Sequence, residues 1–245
     1  MVPGLYSAAS GLDVAALNQD VIARNLANSD VPGFRRGQVS FGSFEGALGQ
    51  FGGVSVGTST PGTTDAVMHT DFAPGSFQHT GNPLDVAILG EGFFVLEGSS
   101  GPLYTRNGVF HLSAEGQLVS GSGLPVQGGG GPITIPKEAP LSTVRIMSDG
   151  SVSANGVQVG KLQIVDFSDK DQLTSVGTTA FSATNSSAAQ PVASIVEQGS
   201  RELSNVNAVE ELTRMIINMR LYEAAQRALN SISSAIEQNI GTQSG

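Results

Sequence analysis

The side chains best suited to chemistry in this sequence are three histidines and a few acidic groups, and their spacing supports no reaction centre. His69, His79 and His111 stand in separate segments, without the ligand spacing that a zinc ion needs. Each reads as a turn or sheet-surface residue. Asp166, Asp169 and Asp171 fall close together, and Ca²⁺ takes such oxygens, but a solvated turn is the simpler reading. Gly128 to Gly131 is a run of four glycines, yet no Lys-Ser/Thr and no helix follow, as a phosphate loop requires. Ser, His and Asp are all present, but no nucleophile elbow is expected to place them as a hydrolase triad. The expectation is therefore no catalytic residue, no metal site, no cofactor and no enzymatic activity.

The bulk composition narrows the partners. A formal charge of −9 opposes nucleic-acid binding, which wants a basic face. The chain has no cysteine, so disulfides and thiolate metal sites do not arise. No apolar run approaches the ~20 residues of a membrane span, so no membrane insertion is expected. The N-terminus shows neither a basic n-region nor a continuous apolar stretch, and no cleaved signal peptide is read there.

The elements that remain are two apolar stripes at the ends of the chain. Val209, Leu212, Met215, Ile216, Met219, Tyr222, Leu229, Ile232 and Ile236 recur at steps of three and four, which predicts a long helix over Asn207–Ile240. Asn207 can cap it, with Glu210 as a capping-box partner, and Gly241 fits its stop. Glu210–Arg214 and Glu223–Arg227 are favourable pairs on the opposite face. At the other end, Leu5, Leu12, Gln19 and Leu26 fall seven apart, with Ala8, Ala15 and Ile22 three after the first three. That is an a/d heptad with small residues at d. Gln19, Asn25 and Asn28 put amides at or beside this seam, either as solvated positions or as contacts that set register between helices. Pro32 ends the helix, and Pro32-Gly33 suits a type II turn with Gly33 at positive φ, leaving Phe34 in need of a pocket.

Between the ends the periodicity changes. Residues 36–70 are rich in Gly, Ser and Thr and read as an irregular or weakly β connector. From residue 71, short apolar runs alternate with turn residues at Asn107-Gly108, Asp149-Gly150 and Asn155-Gly156, each predicting a hairpin. The expected fold class is α+β: long N- and C-terminal helices forming a coiled-coil-like inner layer, with a central antiparallel β-rich domain. The expected division is 1–35 with 203–245 as the helical layer, 36–70 as connector and 71–202 as β domain.

Several motifs resemble one family. Asn25-Leu-Ala-Asn28 followed by Pro32-Gly-Phe-Arg35 is similar to the signature of the axial flagellar proteins, with Val31 standing where Thr is usual and Arg24 where Asn is common. Thr80-Gly-Asn-Pro-Leu-Asp-Val-Ala87, Gly90-Glu-Gly-Phe-Phe94, Tyr104-Thr-Arg-Asn-Gly108 and Gly116-Gln-Leu-Val119 resemble the core of basal-body rod proteins in order and spacing. Leu203-Ser-Asn-Val206 and Met219-Arg-Leu-Tyr-Glu-Ala224 resemble the C-terminal motifs, with Met219, Leu221 and Ala225 as departures. The resemblance implies a non-enzymatic subunit of the bacterial flagellar basal-body rod in the periplasm. It also implies partners among copies of itself and other rod proteins, and passage through the flagellar export apparatus. Length and a compact β region look more like a proximal-rod subunit than a distal-rod or hook subunit.

The assembly interface is expected on Leu5, Leu12, Ile22, Leu26, Val209, Leu212, Ile216, Met219, Tyr222, Leu229, Ile232 and Ile236, with Asn25, Asn28, Pro32, Gly33 and Phe34 as the motif joint. Two other classes compete on the residues alone. A coiled-coil-anchored adhesin or tail-fibre protein predicts a closed trimer in solution. A glycan-active β-rich enzyme needs a carboxylate pair in one cleft and leaves the heptad ends unexplained.

Overall fold

A computed structural model describes residues 2–43, 64–184 and 189–243. The chain forms two compact units. The first joins residues 1–27, 37–71 and 207–245. The second comprises residues 28–36 and 72–206.

In the first unit, helix α1 covers Val2–Ala27 and helix α2 covers Ala208–Gln243. Asn207 Oδ1 accepts the Val209 and Glu210 amides at 3.1 and 3.4 Å and so caps α2. Glu210 does not reach back to complete a capping box; its carboxylate takes the Arg214 guanidinium at 2.6 Å instead. Gly241 does not stop the helix, which continues to Gln243. The strands Gly37–Ser43 and Thr64–Thr70 pair antiparallel, from Gly37 opposite Thr70 to Ser43 opposite Thr64.

The coiled-coil-like inner layer expected from the heptads is not formed. The described residues between the two terminal helices are mostly β, with one helix near each end, and the two helices do not meet along the predicted apolar a/d seam. Val209, Leu212, Ile216 and Met219, four of the supposed seam residues, are 73, 47, 54 and 52 % exposed. Among the described residues of α2, the buried ones are Glu211 and Asn218. The physical reason is that helix faces are chosen by everything that must be satisfied, and here the hydrogen bonds of Asn218 and Glu211 help select the face turned to α1, with Met215 and Ala225 half-buried beside them.

The second unit is built from antiparallel pieces. Its largest sheet runs in the order Leu173–Val176, Ala180–Ala183, Gly101–Thr105, Phe93–Gly98, Ile164–Phe167, Ala189–Pro191. The strand Phe93–Gly98 is apolar on both faces, as its place inside the sheet demands. Phe94 and Leu96 enter the main core with Val86, Ile88, Phe110, Leu118 and Ile133. Phe93 and Val95 enter a second cluster with Tyr104, Phe167 and Phe181. Phe72 stacks edge-on against Phe93 with ring centroids 5.7 Å apart.

Two of the three predicted hairpins form. Gly150 at φ 83° links Arg145–Ile146 to Ser151–Ala154. Asn155 and Gly156, at φ 51° and 79°, link Ser151–Ala154 to Val157–Lys161. The third, at Asn107-Gly108, does not form: Phe110–Leu112 pairs with Leu118–Ser120 instead. Gly108 serves close approach, because a Cβ there would meet the Val86 carbonyl oxygen at 1.7 Å. Its own carbonyl accepts the Val86 amide at 2.9 Å.

Candidate functional site

Three features of the structure could carry function: a polar contact between the helices, the exposed stripe of α2, and a buried charge cluster in the second unit. The polar contact begins with Asn218, buried on α2. Its Nδ2 donates to the Ala15 carbonyl and to Gln19 Oε1, both at 2.8 Å, and its Oδ1 accepts from Asn18 at 3.1 Å. Seven residues away on each helix, Asn25 Nδ2 stands 3.5 Å from Glu211 Oε2. Asn25 also donates to the Gly37 carbonyl at 2.8 Å and accepts the Gly37 amide at 2.8 Å. The pairs 18–218 and 25–211 make the helices antiparallel where they meet. Asn25 and Gln19 therefore make contacts between the helices rather than lying fully solvated.

The predicted interface residues divide by environment. Val209, Leu212, Ile216, Met219 and Tyr222 are exposed, Ile217 and Leu221 with them. Leu12, Leu26 and Leu229 are half-buried, and Ile22 is buried inside the chain. The side chains of Leu5, Ile232 and Ile236 lie outside the described residues. A shallow groove of about 490 Å³ runs beside the polar contact, lined by Ala15, Asp20, Met219, Tyr222 and Glu223 among others.

In the second unit, the turn after α1 takes the predicted form. The Phe34 amide donates to the Val31 carbonyl at 3.2 Å across Pro32 and Gly33, with Gly33 at φ 70°. Any Cβ at Gly33 would lie 2.3 Å from the Asn107 amide nitrogen. Asn28 opens the turn by accepting the Val31 amide at 3.2 Å. Phe34 is buried.

The charge cluster was not anticipated. Glu202 is fully buried, and its Oε1 takes Arg35 Nη2 at 2.6 Å and the Gly75 amide at 3.0 Å. Arg106 Nη1 lies 3.6 Å from Glu202 Oε2, and its guanidinium sits 5.3 Å from the Phe93 ring centroid. Burial pulls the Arg106 pKa down, with Glu202 opposing. Arg35 Nε and Nη1 and Arg106 Nε are buried with no hydrogen bond among the described residues. The only advance signal was alternation: Ser200–Glu202 buries its first and third residues, so Glu202 had to face inward if Ser200 did.

The residues weighed for chemistry are apart from all this. His79 and His111 are exposed on strands and His69 is exposed on the 64–70 strand. Asp169 caps a short turn by accepting the Asp171 amide at 3.1 Å, and Asp166 faces Lys170 at 3.8 Å. Among the described residues no group of three acidic, His or Cys side chains is placed to hold a metal. Gly53-Val-Ser-Val-Gly57 does carry the letters of a nucleophile elbow, contrary to the expectation that none exists, and lies outside the described residues. No helix among the described residues is long and apolar enough to cross a membrane.

Comparison with known proteins bears on this arrangement. Residues 5–35 match the flagella basal body rod protein family. Residues 87–154 match the D1 domain of flagellar hook protein FlgE/F/G, and residues 197–238 match the C-terminal region of flagellar basal body rod FlgEFG proteins. FlgG of Bacillus subtilis, a flagellar basal-body rod protein, is 32 % identical over 97 % of this chain and 98 % of its own length. The chain belongs to the flagellar basal-body rod protein family. FlgF of Mesorhizobium japonicum is likewise 32 % identical, over 99 % of this chain and 98 % of its own. FlgF of Caulobacter vibrioides is 32 % identical over 89 % of this chain and 90 % of its own. Rod proteins are structural, non-enzymatic components, and the chain is a structural subunit of the basal-body rod. Relatives of both FlgF and FlgG kinds match at the same identity.

Proposed function

We propose that the chain polymerises helically with copies of itself and with other rod proteins, through the exposed apolar face of α2, and transmits torque within the proximal rod. The observation that carries this reading is the stripe Val209, Leu212, Ile216, Met219 and Tyr222, at steps of three and four and unburied within the chain. Leu12, Leu26 and Leu229, half-buried, extend the apolar surface a neighbour could cover. Contiguous apolar surface of this extent on one helix marks a protein contact. The proximal place rests on the resemblance alone, through the chain's length and compact β region. The subunit reaches the rod through the flagellar export apparatus and works in the periplasm.

The test replaces Leu212 or Ile216 with Asp in cells and in purified protein. Both positions are exposed, so the monomer keeps its melting temperature. Incorporation into isolated basal bodies falls to background, because each variant sets a charge in the centre of the contact. Normal incorporation of both variants would remove α2 from the interface.

A further inference from the structure

The chain passes between its two units four times, after residues 27, 36, 71 and 206. Within the second unit, the three segments that border these passages are tied to one another. Gly33 donates its amide to the Glu202 carbonyl at 2.9 Å, and Arg36 donates its amide to Asn205 Oδ1 at 2.8 Å. Asn205 Nδ2 donates to the Ala73 carbonyl at 3.0 Å, and the Leu203 amide donates to the Ser76 carbonyl at 2.8 Å. Glu202 touches all three segments: its carbonyl holds Gly33, and its carboxylate holds Arg35 and Gly75. The backbones are as close as glycine allows, since a Cβ on Gly75 would meet the Leu203 carbonyl oxygen at 2.0 Å.

The strand geometry gives this cluster a mechanical meaning. Phe77–His79 pairs antiparallel with Ser200–Glu202, Phe77 opposite Glu202. The chain reaches Phe77 from residue 72 and leaves Glu202 toward residue 207, so both passages lie at the same end of the pair. Tension on them peels the strands apart from that end, one ladder bond after another, which is the weak direction for an antiparallel pair. The ties of Glu202, Leu203 and Asn205 sit at the opening end. None of these bonds can lengthen alone, because Glu202 and Asn205 are each anchored to two segments besides their own. Arg106, held against Phe93 in the second apolar cluster, backs the Glu202 carboxylate from inside.

We infer that the Glu202 cluster is a mechanical clamp, which turns bond-by-bond peeling at the chain passages into the simultaneous rupture of several buried bonds. The inference rests on the rod reading only for its purpose, since a torque-carrying subunit takes load where its chain passes between units. The clamp itself is a property of the single chain.

Pulling on the full chain in an optical trap tests it. The protein has no cysteine, so Ala73→Cys and Val209→Cys, both at exposed positions, supply handles that load the opening end. Val157→Cys and Val176→Cys, also exposed, supply handles elsewhere in the second unit. Glu202→Gln should raise the opening rate at fixed load by about tenfold or more from the first pair. The acceleration should be clearly smaller from the second pair. Equal acceleration from both would make Glu202 an ordinary stabilising contact and overturn the clamp, as would no change from either. If Glu202→Gln does not fold, Asn205→Ala, which removes the Arg36 and Ala73 ties at a half-buried position, is read in the same two geometries by the same criteria. Failure of the rod reading shows separately, as a clamped chain that never enters basal bodies.

Discussion

Replacing Asn218 with Ala separates the two ways in which the helices could be held. Asn218 makes three hydrogen bonds to α1, to Ala15, Gln19 and Asn18, and is 4 % exposed. At roughly 0.5–1.5 kcal/mol net for each, the loss is about 2–4 kcal/mol. At about 1.4 kcal/mol per factor of ten, the equilibrium for opening the helix pair shifts about 30- to 700-fold. Native-state hydrogen exchange reads this directly as lost protection of α1 amides between Leu12 and Leu26, while amides of Phe94 and Leu118 in the second unit keep theirs. The comparison is Leu212→Asp, at a position 47 % exposed. A surface change of that kind falls within about 0.5 kcal/mol and alters protection only about twofold. Equal losses in the two variants, or a larger loss for Leu212→Asp, would mean that an apolar seam holds the pair and that the polar contact is incidental.

Three further outcomes are expected. Gly33→Ala forces a Cβ against the Asn107 backbone at positive φ and should destabilise the second unit by about 3 kcal/mol or more, seen as a lower urea midpoint. Phe34→Ala removes a buried ring and should cost about 3–5 kcal/mol in the same assay, loosening the turn after α1 and reducing incorporation into rods. The Glu91 carboxylate is held below its ordinary pKa chiefly by the hydrogen bond from Lys170. A lowered carboxylate stabilises the fold above its unfolded pKa, and that contribution is lost as pH falls through the folded value. Glu91 is largely solvated, so the effect on stability is small. An NMR titration should show its pKa rising in Lys170→Ala, and an unchanged value would refute the pairing.

The sequence was informative wherever the deciding contact is local or apolar. Steps of three and four located the stripe of α2, and Pro32-Gly33 and Asn155-Gly156 announced their turns through the φ that glycine permits. The face that α2 turns inward was not legible by the same means. Hydrophobic periodicity scores Val209 and Leu212 and ignores Glu211 and Asn218, which do the packing. A trace existed in the polar residues: Asn18 and Asn25 stand seven apart, as do Glu211 and Asn218. Asn107-Gly108 misled because glycine has two uses, and there it admits the Val86 backbone rather than a reversal. The Glu202 cluster draws Arg35 and Arg106 from distant parts of the chain, and no local pattern pairs charges across such separations.

The strand Phe93–Gly98 has a consequence for how the second unit finds its fold. An ordinary sheet strand rejects a one-residue slip because slipping would turn its oily side to water. Here Phe93 and Val95 would exchange places with Phe94 and Leu96, and both sides would still be oily. Solvent therefore does not proofread this strand's alignment. The correction must come from its tight reversal into Gly101–Thr105, where Gly98 faces Gly101 and a Cβ on Gly98 would meet the Gly101 carbonyl oxygen at 2.6 Å. A four-residue corner thus acts as the indexing mark for the six-stranded sheet.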